Sequence, residues 1–181
     1  MNRPALRAAR AASFLGVSSV IYAALSAWHA PYDGFLCVLA TPLLRFLSGE
    51  ANSLGWMGDG IGCTRAGDGR VFPLGDLSAL WAQLPIYLGL CATAPRRALA
   101  HAAGLGAGVA GLICLQVVTI TLFGILACWQ RSRPGVELVA AAYAVLTSLH
   151  WVAPAALWLV QFPPGIFGSA NSRPRKLPLP R

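Results

Sequence analysis

Four long apolar runs dominate the hydrophobic pattern of this chain, and charged residues lie almost entirely at their ends or between them. A run of roughly 20 apolar residues can cross the hydrocarbon core of a bilayer as a helix. Because lipid offers no hydrogen bonds, each run must satisfy its own backbone. The pattern therefore predicts an all-α integral membrane protein with four transmembrane helices. The predicted helices cover residues 11–28, 74–94, 105–129 and 136–161.

Basic residues set the predicted orientation. They cluster in the N-terminal segment 1–10, in the turn at Arg96 and Arg97, and in the Pro-rich tail 162–181. The positive-inside rule then predicts a multi-pass membrane protein with both termini in the cytoplasm. Arg131 and Arg133 disagree locally, because this orientation places them outside. A cleaved signal peptide is the alternative for the first run, which is longer than a usual signal-peptide core.

The segment 29–73 is the only sizeable part predicted to lie outside the membrane, on the periplasmic side. Its apolar stretch 35–47 is too short to span and predicts a helix lying in the membrane interface. Turn dipeptides follow, and segments 61–65 and 70–72 could pair as a small hairpin.

Composition narrows the class of protein. Hydrophobic residues make up 56% of the 181 residues and charged residues 11%, with a mean hydropathy of +0.61. Soluble domains carry about 25% charged residues, so an ordinary soluble enzyme is excluded. The net charge of +8 does not indicate nucleic-acid binding, because the basic residues flank apolar runs.

Polar residues inside the runs form the first candidate site. Antiparallel connection places Gln83, Gln116, Thr147 and His150 at similar depth, near the middle of the membrane. Buried polar groups in lipid point at one another. This midplane polar cluster is either a functional site or hydrogen bonding that holds the helices together.

Small residues form the second candidate. Gly104 and Gly108 make a G-x-x-x-G pair, which Gly111 extends. Such a stripe lets another helix approach closely, either from this chain or from a partner.

Cysteine and histidine patterns predict no catalytic residue, metal or cofactor. Cys37 and Cys63 are the two cysteines of the outer segment and could pair as a disulfide in an oxidising compartment. The other three cysteines fit packing roles inside apolar runs. The three histidines lie at different depths and do not form an axial pair for haem.

The chain resembles the exosortase H-associated membrane proteins over residues 70–162. The resemblance rests on two groups of residues: the segment 84–97, which runs from Leu-Pro-Ile-Tyr to Ala-Pro-Arg-Arg, and the series Glu137, Ala141, Tyr143, Pro154, Leu157 and Trp158. The family accompanies a membrane transpeptidase that sorts proteins in bacteria, so the resemblance implies a protein of the bacterial inner membrane. The family has no assigned catalytic residues to carry over to this chain. Phe72-Pro73 departs from the Asn-Pro expected before the second run.

The leading hypothesis is a non-catalytic accessory or assembly subunit that contacts lipid and a larger membrane partner, such as an exosortase-like transpeptidase. One alternative is a structural subunit of a photosynthetic or respiratory complex, packed against cofactor-bearing subunits. The other is a small membrane enzyme or transporter that uses the midplane polar cluster.

Overall fold

The structure is a computed structural model that describes residues 3–58, 60–74, 78–94, 102–129 and 134–162. Its elements are α1 (Arg3–Ala27), α2 (His29–Ser48), β1 (Ser53–Trp56), β2 (Ile61–Thr64), β3 (Val71–Pro73), α3 (Ser78–Trp81), α4 (Gln83–Ala92), α5 (Ala102–Cys128) and α6 (Val136–Gln161). The predicted basic turn at Arg96 and Arg97, the connection with Arg131 and Arg133, and the tail beyond Phe162 lie outside the described residues.

Three helices in the described ranges are long and apolar enough to cross a membrane: Ala5–Ala27 in α1, Gly104–Cys128 in α5, and α6. The most enclosed is α5, which α2, α4 and α6 all contact. In contrast, α1 packs mainly against α4. A fourth full span is not confirmed.

The predicted second span, 74–94, is not one continuous helix. Leu74 extends the sheet, since its N–H donates to the Ile61 carbonyl at 2.8 Å. The four-residue α3 and the ten-residue α4 follow, separated at Ala82. Pro85 supplies the physical reason for the break, because a proline has no N–H to give to the Trp81 carbonyl four residues earlier. At 1.5 Å per residue, α4 alone covers about 15 Å, half of a bilayer core.

The helix predicted over the apolar stretch 35–47 is longer than that stretch, and its placement in the membrane interface is not confirmed. It begins at His29, directly after a break at Trp28, and ends at Ser48, before Gly49, whose φ of 66° is left-handed. Residues later in α2 contact residues later in α5, so the two helices run side by side in the same direction. Tyr32 bonds to Gln116, and farther along both helices Thr121 Oγ1 donates to the Ala40 carbonyl at 3.4 Å. The C-terminal half of α2 therefore lies beside the end of α5 that carries Cys128.

The outer segment also forms a three-stranded antiparallel sheet in the order β1-β2-β3. Strands β2 and β3 pair around the turn where Gly and Asp predict a hairpin, and Cys63 lies opposite Phe72. Arg65 Nε donates to Asp68 Oδ1 across this turn at 2.9 Å. Strand β1 was not predicted, because its four residues, Ser-Leu-Gly-Trp, are too short a run to indicate a strand within a Gly-rich stretch.

Two apolar clusters meet on α5. One joins α2, the sheet and the Cys128 half of α5, and includes Leu36, Ile61 and Ile120. The other joins α4 and the opposite half of α5, and includes Leu84 and Leu112. Gln116 lies between Leu112 and Ile120 in sequence, so a buried amide stands at the boundary of the two clusters.

Candidate functional site

The structure brings three of the four predicted midplane residues together. Gln116 Nε2 lies 3.4 Å from Gln83 Oε1 and donates to the Leu80 carbonyl at 2.6 Å. Gln83 Nε2 donates to the His150 backbone carbonyl at 3.2 Å. The hydroxyl of Tyr32 donates to Gln116 Oε1, a contact that was not predicted. We call Tyr32, Gln83 and Gln116 the amide cluster; both glutamines are fully buried.

Two backbone features explain why these amides bond to carbonyls. Pro154 lies four residues after His150 and has no N–H, so the His150 carbonyl lacks its helical donor. The amide of Gln83 takes that place. Likewise, Leu80 lies in the last turn of the short α3, where helix carbonyls have no partner within the helix. The amide cluster therefore satisfies backbone groups exposed by two helix interruptions.

Thr147 and the ring of His150 do not join the cluster. Thr147 Oγ1 donates to carbonyls of its own helix, at Tyr143 and Ala144. The side chain of His150 is 6% exposed, and both ring nitrogens lack a hydrogen-bond partner among the described residues. His150 and Pro154 are the residues that α6 buries, so this ring lies on the inward face of α6.

A second polar group lies where α1 passes into α2, and sequence reasoning missed it. Trp81 Nε1 donates to Oδ1 of the buried Asp33 at 2.9 Å. The His29 ring contacts two indoles, those of Trp56 and Trp81, with centroid distances of 5.3 and 5.6 Å. These contacts tie α2, β1 and α3 together. The signal in the sequence was the lone Asp33 within an apolar stretch.

The small-residue stripe of α5 is used inside the chain. A Cβ built on Gly108 would overlap the Tyr87 hydroxyl and lie 2.8 Å from Gln161 Nε2. Those two side chains bond to each other, and Gln161 Nε2 also donates to the Gly104 carbonyl at 2.6 Å. A Cβ at Gly111 would meet Leu157 at 3.9 Å, whereas one at Gly104 would meet nothing within 4 Å. Gly108 is therefore the position of closest approach.

The predicted Cys37–Cys63 disulfide is wrong, because the structure pairs Cys63 with Cys128. Strand β2 packs beside the end of α5, and Cys128 is the last residue of that helix. Cys37 is a free, buried cysteine.

The chemistry of these groups is hydrogen bonding and packing. Within the ranges that the structure describes, no set of three His, Cys, Asp or Glu side chains could hold a metal ion. The amides of the amide cluster neither titrate near neutral pH nor act as nucleophiles. His101 lies outside the described residues.

The outward face of α6 carries a regular pattern that sequence reasoning also missed. Large apolar residues recur every seven positions, and small residues recur with the same period three positions later. We call this set the α6 seam: Leu138, Ala141, Val145, Ser148, Val152, Ala155 and Leu159. All seven are exposed in the isolated chain, with the large ones between 49% and 76% exposed. A search of the fourth apolar run for a seven-residue period would have found it.

Models of known protein families, curated proteins and solved structures give no match to this chain.

Proposed function

We propose that this chain is a multi-pass membrane protein of the bacterial inner membrane that serves as a non-catalytic accessory or assembly subunit. It docks to a larger membrane protein through the α6 seam. The exosortase-like transpeptidase suggested by the sequence resemblance is the partner we put forward. The observation that carries this proposal is the seven-residue period of exposed residues on α6.

Contact with lipid alone does not call for such a period. Acyl chains accept any arrangement of apolar side chains, whereas a helix partner needs large residues to fit beside small ones. A seven-residue repeat keeps one stripe facing a partner along a left-handed crossing. Leu138, Val145, Val152 and Leu159 would supply the large positions, and Ala141, Ser148 and Ala155 would allow close approach.

The interior of the chain supports a structural role. The amides of Gln83 and Gln116 are engaged with backbone carbonyls and with each other. Gly108 accommodates side chains from α4 and α6 of the same chain. Since Gly108, the position of closest approach in this stripe, is occupied from within the chain, the α6 seam is the better candidate for a partner helix.

The test is a mild-detergent pull-down of the full chain, with identification of the proteins that co-purify. Ser148→Leu and Ala155→Leu place a large side chain at small seam positions. Overpacking costs about 1–3 kcal/mol, so retention of the partner should fall about tenfold. The matched control is Ala12→Leu, which adds the same bulk at an exposed position of α1.

The proposal requires one multi-pass protein to be lost with both seam variants and kept with the control. Equal retention by all variants would contradict it. Visible absorption in the purified complex would instead favour the photosynthetic or respiratory alternative, and recovery of a protein-sorting transpeptidase would support the partner named here.

One observation favours the second candidate, a small membrane enzyme or transporter with a midplane site. The buried ring of His150 has no hydrogen-bond partner among the described residues. Intramembrane histidines often serve in binding or proton transfer. On this hypothesis, His150→Ala abolishes complementation of a deletion strain while expression and unfolding temperature are unchanged. A loss of stability without loss of complementation would support a packing role.

A further inference from the structure

A groove of about 440 Å³ runs along the outside of the molecule between α2 and β1. Gly34, Val38 and Arg45 line it on the helix side, and Gly55 and Trp56 line it on the strand side. From Gly34 to Arg45 the helix rises about 16 Å, so the groove is long and narrow. Such a shape suits an extended chain better than a compact small molecule.

The two ends of the groove lie at different levels of α5. Tyr32, near the Gly34 end, bonds to Gln116, which lies close to the middle of α5. Near the Arg45 end, a Cβ on Gly124 would meet the Leu44 side chain at 3.5 Å, and Gly124 is one turn from the end of α5. With α5 across the membrane, the Arg45 end of the groove is the shallow end, nearer the Cys128 end of α5, and the Gly34 end is the deep end, nearer the middle of α5.

The charge in the groove lies at its shallow end. Arg45 Nε donates to the Asn52 carbonyl at 3.2 Å, and the side chain is otherwise exposed. A guanidinium has five N–H donors, and the bond to the Asn52 carbonyl uses one of them. The ion pairs Arg65–Asp68 and Arg70–Asp68 lie in the hairpin and do not include Arg45.

The deep end is apolar and open. A Cβ built on Gly34 or Gly55 would meet nothing within 4 Å. Val38 is 71% exposed and Phe35 46% exposed, so the helix beside the groove continues into a lipid-facing surface. The groove thus matches the polarity of a lipid, with a cation at its shallow end and an apolar floor at its deep end.

We propose that this groove binds one anionic phospholipid, with its phosphate on Arg45 and one acyl chain along Val38 and Gly34. Arginine suits a phosphate because its planar fork donates two parallel hydrogen bonds. The inference rests on the membrane insertion in the proposed function, and it is independent of the protein partner.

The first test compares lipids of different headgroup charge. Native mass spectrometry of the full chain in detergent, titrated with phosphatidylglycerol or phosphatidylcholine, should show preferential retention of phosphatidylglycerol. Arg45→Gln should reduce this preference about fivefold, the equivalent of about 1 kcal/mol. Arg70→Gln, which removes an exposed hairpin arginine, is the matched control and should leave the preference unchanged.

The second test fills the groove. Gly34→Leu should reduce retention of both lipids, whereas Gly16→Leu, at an equally open position of α1, should not. Alkylation before and after reduction verifies in each variant that Cys63–Cys128 has formed.

An unchanged preference in Arg45→Gln would overturn the proposal, as would unchanged lipid retention in a correctly bridged Gly34→Leu. Competition by inorganic phosphate as strong as that by the lipid would show a simple anion site instead. Failure to find a protein partner, with these results obtained, would affect only the docking proposal.

Discussion

At the scale of single residues, Pro154 controls the contact between α4 and α6. Because Pro154 has no N–H, the His150 carbonyl accepts a hydrogen bond from Gln83 Nε2 instead, at 3.2 Å. Pro154→Ala would return the helical donor to that carbonyl. The cost of Gln83→Leu should then be smaller in Pro154→Ala than in the wild type. Interhelical hydrogen bonds in membranes contribute about 0.6 kcal/mol, which is the coupling expected from a double-mutant cycle of unfolding free energies in detergent.

A coupling of zero in that cycle would show that the amide of Gln83 contributes nothing through the His150 carbonyl. Thr147→Ala serves as a comparison, because Thr147 bonds only to its own helix and should not couple to Pro154.

Gly108 and Gly111 give a second prediction at this scale. Gly108→Ala should destabilise the chain by about 1–3 kcal/mol, because its Cβ overlaps the Tyr87 hydroxyl and neither Tyr87 nor Gln161 can move without breaking their bond. Gly111→Ala should have little effect, since its Cβ reaches Leu157 at an ordinary 3.9 Å. Thermal unfolding in detergent distinguishes the two, and equal unfolding temperatures would contradict the close approach at Gly108.

The hairpin turn offers a prediction for pH. The hydrogen bond from Arg65 lowers the pKa of Asp68 to about 2, from an ordinary 3.8. A carboxyl with a lowered pKa stabilises the fold above its ordinary pKa, and this contribution is lost as the pH falls through the lowered value. The turn should therefore keep its structure at pH 4 and loosen toward pH 2. NMR titration should show the Asp68 midpoint rising toward 3.8 in Arg65→Gln; an unchanged midpoint would exclude Arg65 as the cause.

At the scale of elements, the long helices were predictable because their apolar runs exceed what a soluble helix needs. The fourth run, 136–161, coincides with α6 (Val136–Gln161). Pro85 could have indicated the break between α3 and α4, but the apolar run around it favoured the prediction of a single span. Strand β1 and the length of α2 depend on packing against α5 and the sheet, which a single sequence does not display.

The candidate site was also predictable only in part. Antiparallel helices bring residues of equal depth together, so depth alone predicted the meeting of Gln83 and Gln116. It could not predict that Tyr32 completes the amide cluster, because Tyr32 precedes the stretch 35–47 that was read as the helix. Depth also could not predict that His150 contributes its backbone carbonyl to this contact, while its ring nitrogens have no hydrogen-bond partner among the described residues.

The disulfide gives a prediction about how the sheet is attached. Cys63–Cys128 closes a loop of sequence separation 65 and fastens β2 to the end of α5. A loop of that length corresponds to a stabilisation of about 4 kcal/mol in the chain-entropy model. Cys63→Ser should lower stability by that order, while Cys37→Ser should leave the bridge intact.

Mass spectrometry after alkylation checks the pairing. Cys37, Cys91 and Cys114 should be modified in the unfolded, unreduced protein, and Cys63 and Cys128 only after reduction. A bridge between Cys37 and Cys63 under these conditions would contradict the pairing.

At the scale of the whole molecule, the disulfide and the charges favour one orientation by independent arguments. Disulfides persist in oxidising compartments, so the proposed membrane insertion predicts that the sheet and the Cys128 end of α5 lie on the side away from the cytoplasm. The basic N-terminal segment and tail favour the cytoplasm for both termini. The chain enters α2 near the level of Gln116, the middle of α5, and α2 leads it toward the sheet. After the sheet, α4 runs along α5 from the level of Gln116 to that of Gly108.

Site-directed labelling tests this orientation. In intact spheroplasts, a membrane-impermeant maleimide should modify Gly67→Cys, in the exposed hairpin turn, and should modify Arg173→Cys only after the membrane is opened. The native free cysteines Cys37 and Cys91 are buried, and Cys114→Ser removes the exposed one. Labelling of Arg173→Cys in intact cells would invert the protein. The α6 seam could still bind a partner in that case, but the groove at Arg45 would face the cytoplasmic leaflet, which is rich in anionic lipids. The reducing cytoplasm would then leave Cys63 and Cys128 unpaired.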